Sequence, residues 1–159
     1  MKTRLDFVSN SSSCSFIIRF DDNGKSFDSN FFKILKLSAE TINLKVSYQS
    51  ENELASLVKS TAEAFKNAVK VDKGFDDNEV DFNFKASKID ADDKCQVSVF
   101  RKLLKNCTSF YVSCGEDFGS DLVDAVKTAV LLESKYKAVL IDGDDHFDYT
   151  SIRGTDIDD

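Results

Sequence analysis

Two short acidic runs hold the residues best suited to chemistry, Cys114-Gly115-Glu116-Asp117 and Asp142-Gly143-Asp144-Asp145-His146. Glu116, Asp117, Asp142 and Asp144 are hard oxygen donors of the kind Mg²⁺ or Ca²⁺ prefers, and crowded carboxylates repel one another unless a cation lies between them. His146 would add a general base whose ordinary pKa lies near neutrality. Together these residues describe a small metal-dependent hydrolase or phosphotransfer site. Asp142 leads the set because it directly follows the apolar run from Ala138 to Ile141. A simpler reading competes with it. Asp121 and Asp124 fall in the first turn of a helix, where carboxylates favour the helix dipole, and Asp-Gly-Asp-Asp is also an ordinary polar turn after a buried strand. The run does not match the EF-hand template. A Cys114 thiol at a strand end, before a helix N-terminus, would have a lowered pKa, but the flanking carboxylates would raise it again.

Both runs are positioned by one stretch, Thr108 to Asp145, which reads as strand, helix and strand: short apolar flanks around a middle of helical period. The expectation is that the two strands pair in parallel with the helix across one face. Both acidic loops then leave the same edge of the sheet, where open α/β sheets bind ligands.

Other signatures are missing from the sequence. It has no G-x-S-x-G elbow, no G-x-G-x-x-G or G-x-x-x-x-G-K-[ST] phosphate loop and no H-E-x-x-H helix. The four cysteines, Cys14, Cys95, Cys107 and Cys114, form no C-x-x-C pair, and one histidine poorly supports a mixed zinc site. Cys107 and Cys114 bracket a strand that spans about 23 Å, too far for a disulfide. Reduced thiols are expected.

With 159 residues and 42% hydrophobic content the chain can bury a core as a single domain. Its net charge of -7 disfavours long-range attraction to phosphate or to an anionic membrane. No run approaches the roughly 18 apolar residues of a membrane span, and Met1-Lys2-Thr3-Arg4 leads into no apolar signal core. The expected location is cytoplasmic in the producing cell, or in a virion.

The chain begins with basic residues, then Asp6-Phe7-Val8-Ser9-Asn10, Ser11-Ser12-Ser13, and Ser15-Phe16 followed by aliphatics. This opening resembles that of small uncharacterised proteins of tailed bacteriophages and bacteria that read FVSNSSSSSF, with Cys14 interrupting the serine run here. The resemblance covers about twenty residues and implies a phage or bacterial origin without an activity. The serine hydroxyls can cap backbone groups, and Phe7 and Val8 argue for an arm that docks on a surface. Phe7, Val8, Asn10, Ser11, Ser12 and Ser13 are therefore the candidate partner-contacting residues.

Along the rest of the chain, Asp21-Asp22-Asn23-Gly24 is a turn. A short helix follows from Ser29, burying Phe31, Phe32, Leu35 and Ile34. Thr41 to Tyr48 alternates as a strand with one wet face. Ser50 and Glu53 form a capping box opening a helix from about Glu51 to Lys70. Val80, Phe82 and Phe84 alternate again, and Val97, Phe100, Leu103 and Leu104 have helical spacing from about Asp93 to Asn106. Phe147 to Ile152 offers a further edge strand before an acidic tail at 153–159.

The fold read from this pattern is a single α/β domain, with a mixed sheet of about five strands near 15–20, 41–48, 80–86, 108–114 and 136–142, about three helices, and a Ser-rich arm at 1–14. The leading function is a non-enzymatic, protein-binding protein, virion-associated or acting on a host factor. It would have no organic cofactor, no direct nucleic-acid contact and no membrane contact. The alternatives are the metal-dependent enzyme above, with a divalent cation as its cofactor, and an acidic mimic of a nucleic-acid backbone.

Overall fold

Ser50 shows how closely local chemistry sets the elements: its Oγ accepts the Glu53 N–H at 3.1 Å, and Glu53 Oε1 accepts the Gln49 N–H at 2.7 Å. The capping box thus forms, with the glutamate reaching one residue further back than the usual partner. The computed structural model describes residues 15–73, 78–114, 127–128, 130–136 and 138–142, the last of these as backbone. Its strands are β1 (Ser15–Phe20), β2 (Ala39–Ser47), β3 (Val69–Asp72), β4 (Glu79–Lys85), β5 (Cys107–Cys114) and β6 (Ala138–Asp142). Its helices are α1 (Ser29–Leu35), α2 (Glu51–Phe65) and α3 (Lys94–Leu104), and residues 127–128 and 130–135 are helical before β6.

The strands form one sheet in the order β3-β4-β2-β5-β1-β6, and every neighbouring pair is antiparallel. The expected direct pairing of the two strands of the C-terminal unit is therefore replaced: β5 and β6 run parallel, but β1 lies between them and pairs with both. Every helical connection follows the same rule and crosses one strand to reach a parallel one. The core from β2 to β5, read β2-α2-β3-β4-α3-β5, has the split βαβ arrangement of ferredoxin-like domains. β1 with α1, and the last helix with β6, widen that sheet on the β5 side.

β3 is the strand absent from the sequence reading. Ala68 and Val69 continue the helical period of α2, but the helix ends at Phe65, Lys66 takes a positive φ of 47°, and a 3₁₀ turn at Lys66–Ala68 leads into Val69. Only Val69 and Val71 carry the alternating signal, too short a run to stand out beside a long helix.

The helices cover one face. Ile42, Leu44 and Val46 of β2, Val80, Phe82 and Phe84 of β4, and Phe110 and Val112 of β5 are all buried against them. Phe100 of α3 sits at the centre, with ring centroids 4.9 Å from Phe27, 4.8 Å from Phe32, 5.4 Å from Phe84 and 5.7 Å from Phe110. Phe27 stacks on it at 21° and the other three rings meet it tilted or edge-on, arrangements that pack well and contribute strongly to the core. On the other face Asn43 and Lys45 of β2 lie opposite Asn83 and Asp81 of β4, a polar surface that explains the alternation along both strands. Tyr136 ties the last helix to α1: its OH donates to Asp28 Oδ1 at 2.7 Å while the same Asp28 oxygen accepts the Phe31 N–H as the N-cap. Burial, then the Asp28 hydrogen bond, push the Tyr136 phenol up to about 12.

Candidate functional site

The register of β1 decides what meets at the edge of the sheet. Ser15 lies opposite Ser113 of β5, and Phe16 lies opposite Asp142 of β6. Ala39, the first residue of β2, lies opposite Cys114. Four chain passages therefore share one rim: the entry of β1 directly after the serine run in sequence, the exits of β5 and β6 at the start of the two acidic runs of sequence, and the entry of β2. Ser15 itself is buried.

The intervening strand changes the geometry expected of the acidic loops. Strands lie about 4.8 Å apart, so the exits of β5 and β6 are about 10 Å apart instead of adjacent, with the entry of β1 between them. Asp142 closes β6 at this rim. Glu116, Asp117, Asp144 and His146 lie outside the described residues, as do Phe7, Val8, Asn10, Ser11, Ser12 and Ser13. Among the described residues no group of three or more His, Cys, Asp or Glu side chains is arranged to hold a metal ion. Cys114 is fully buried at the end of β5, so its thiol does not face the rim surface as a nucleophile would.

Leu37, in the turn between α1 and β2, is 62% exposed and stands two residues before Ala39, on the same rim. A singly exposed leucine is ordinary on a protein surface, and what distinguishes Leu37 is its place on this rim. Nothing in the pattern around Lys36-Leu37-Ser38 singles it out. Ser38 behind it hydrogen-bonds Thr128 at 3.0 Å, so the turn is anchored to the last helix.

Charge is unevenly divided. From residue 115 onward there are twelve Asp or Glu against four Lys or Arg, while residues 1–114 carry sixteen against seventeen. The whole net negative charge thus belongs to the segment that leaves and re-enters the sheet through β5 and β6. This asymmetry gives the chain an acidic part and a nearly neutral one, a condition for oriented approach to a basic surface.

A second feature lies at the other end of β1. Its pairing with β5 stops at Ile18 opposite Phe110, yet β1 continues along β6 to Phe20 and β5 continues along β2 to Cys107. The sheet forks there and encloses a cleft of about 150 Å³ between Arg19 and Phe20 on one side and Cys107, Thr108 and Ser109 on the other. Phe20 is half-buried there, and Ile18, Phe110 and Leu104 beneath it are almost fully covered by the core. The Cys107 thiol donates to the Ser109 carbonyl at 3.2 Å, and burial pushes its pKa up to about 12, so it stays a neutral thiol. No sequence signal pointed to this cleft, because it arises from where pairing stops.

Among the described residues no helix is long and apolar enough to cross a membrane. Comparison of the chain with protein-family models, with curated proteins and with solved structures found no match.

Proposed function

We propose that this chain is a non-enzymatic binding protein of phage or bacterial origin that engages a basic protein surface, in a virion or on a host factor, through the rim where β1 enters between β5 and β6. The observation that carries this reading is the register that sets Ser15 opposite Ser113 and Phe16 opposite Asp142. It joins the serine-rich opening and both acidic loops to one edge, beside the exposed Leu37. Recognition would combine an apolar anchor with acidic steering, an arrangement in which rim charges set the association rate and its salt dependence.

The test is a pull-down from bacterial or virion lysate with three baits: the full chain, the chain lacking residues 1–14, and a variant with Glu116, Asp117, Asp144 and Asp145 changed to amides. A stoichiometric partner held by the full chain, weakened in both altered baits and released by salt, is the expected result. Failure to recover any stoichiometric partner, with a monomeric solution state, counts against it. Competition of the partner by duplex DNA would favour the narrower reading of an acidic nucleic-acid mimic.

One observation favours the metal-dependent alternative: β5 and β6 leave the sheet in the same direction at the same end. Mg²⁺, Mn²⁺ or Ca²⁺ would then raise the melting temperature by mass action. An unchanged melting temperature at millimolar metal removes this reading.

A further inference from the structure

β3 ends the strand order on one side of the sheet, and among the described residues no strand pairs with its outer side. Lys70, Val71 and Asp72 of this strand are all exposed. An edge of this kind offers unpaired N–H and C=O groups as a template for another strand, and a lysine on it ordinarily discourages pairing. Here the lysine has a complement two residues on. Lys70 lies opposite Asn83 and Asp72 opposite Asp81, so both stand on the polar face of the sheet. Val71, opposite Phe82, stands on the helix-covered face and is 38% exposed. The pairing of Asp72 with Asp81 also sets like charges directly opposite, which destabilises a ladder, and a cation on the outer side of Asp72 would offset that repulsion.

Residues opposite one another in an antiparallel pair point to the same face, so a two-fold axis relating two copies of β3 must pass at a residue and not between two. An axis at Lys70 sets two ammonium groups against each other, and an axis at Asp72 two carboxylates. An axis at Val69 runs the second copy into the 3₁₀ turn at Lys66–Ala68. Only an axis at Val71 sets Lys70 of each copy opposite Asp72 of the other, with the two Val71 side chains together on the helix-covered face. We infer that a second copy of this chain docks on β3, antiparallel about an axis at Val71, and joins two six-stranded sheets into one. Sign and strand parity together select the register.

Sedimentation equilibrium of the full chain tests this. The ladder spans four residues and the interface is small, so the expected product is a reversible dimer with a dissociation constant on the order of 0.1 mM. Lys70→Asp and Asp72→Lys each turn both pairs between the copies from opposite to like charge, and each should weaken the dimer about tenfold or more. The double swap, Lys70→Asp with Asp72→Lys, restores opposite charges in this register alone and should recover the dimer. Both positions are exposed, and recovery in the double variant shows that the single ones fail by charge and not by misfolding. A chain that stays monomeric at millimolar concentration, a dimer untouched by either single change, or a double variant that does not recover would overturn the inference. β3 and β6 are opposite edges of the sheet, so this self-association and the partner contact at the rim succeed or fail separately.

Discussion

The two ends of the seam between β1 and β5 are closed differently. At the rim the strands are paired to the first described residue, Ser15 opposite Ser113, and β6 flanks β1 on the other side. At the far end pairing stops at Ile18 and Phe110, and the strands follow different neighbours. A strand inserted between two parallel neighbours must satisfy both, and sheet twist turns those neighbours progressively apart. Here the β6 side prevails beyond Ile18, which leaves a fork at one end and a tight convergence of chain passages at the other. The partner contact proposed above belongs to the convergent end.

Gly24 offers the strongest way to break this contrast. It lies in the turn after β1, with φ +84°, and a Cβ there would come 2.7 Å from the Cβ of Leu104, which lies beneath the cleft. Gly24→Ala combines backbone strain with overpacking and should cost about 3 kcal/mol in denaturant unfolding. It should also disturb amide shifts around Arg19 more than around Ser113. Equal disturbance at both ends would mean that the seam behaves as one unit.

A site remote from the seam calibrates that loss. Thr61 in α2 is fully buried and its hydroxyl has no hydrogen-bond partner among the described residues. Thr61→Val keeps the shape and removes the unsatisfied group, so it should stabilise the chain by about 1 kcal/mol. Chemical denaturation measures both changes on one scale.

The smallest effect at neutral pH belongs to Cys107. Its pKa is raised from 9.0 to about 12 by burial beside the cleft. Above pH 9 the unfolded chain loses this proton while the folded chain holds it, so stability falls between about pH 9 and 12. Cys107→Ala should flatten part of that alkaline loss and leave neutral stability little changed. In peptide-mapped alkylation at mildly alkaline pH, exposed Cys95 should react well before Cys107.

The sequence exposed those parts of the fold whose signal is local. Alternation at Ile42, Leu44 and Val46, and at Val80, Phe82 and Phe84, identified strands with one wet face, and both face solvent on the polar side as expected. Asp93 caps α3 and Ser50 caps α2, each readable from residue type and spacing. Strand order was not readable, because nothing within Ser15–Phe20 says which neighbours it takes; Ile17 suits Tyr111 on one side and Ile141 on the other. That choice moved the acidic exits apart and set the entry of the arm between them. Chain logic alone placed the exits of β5 and β6 at the same end, since two parallel strands in one sheet leave in the same direction whether or not a third strand separates them. Leu37 and the cleft depend on tertiary placement and carried no local mark.

Interstrand contacts of β1 test the account most directly. Nuclear Overhauser measurements on the labelled chain should show close backbone proton pairs between Ser15 and Ser113 and between Ile17 and Ile141, with none linking β5 to β6. A direct parallel ladder between β5 and β6, with β1 elsewhere, would contradict it.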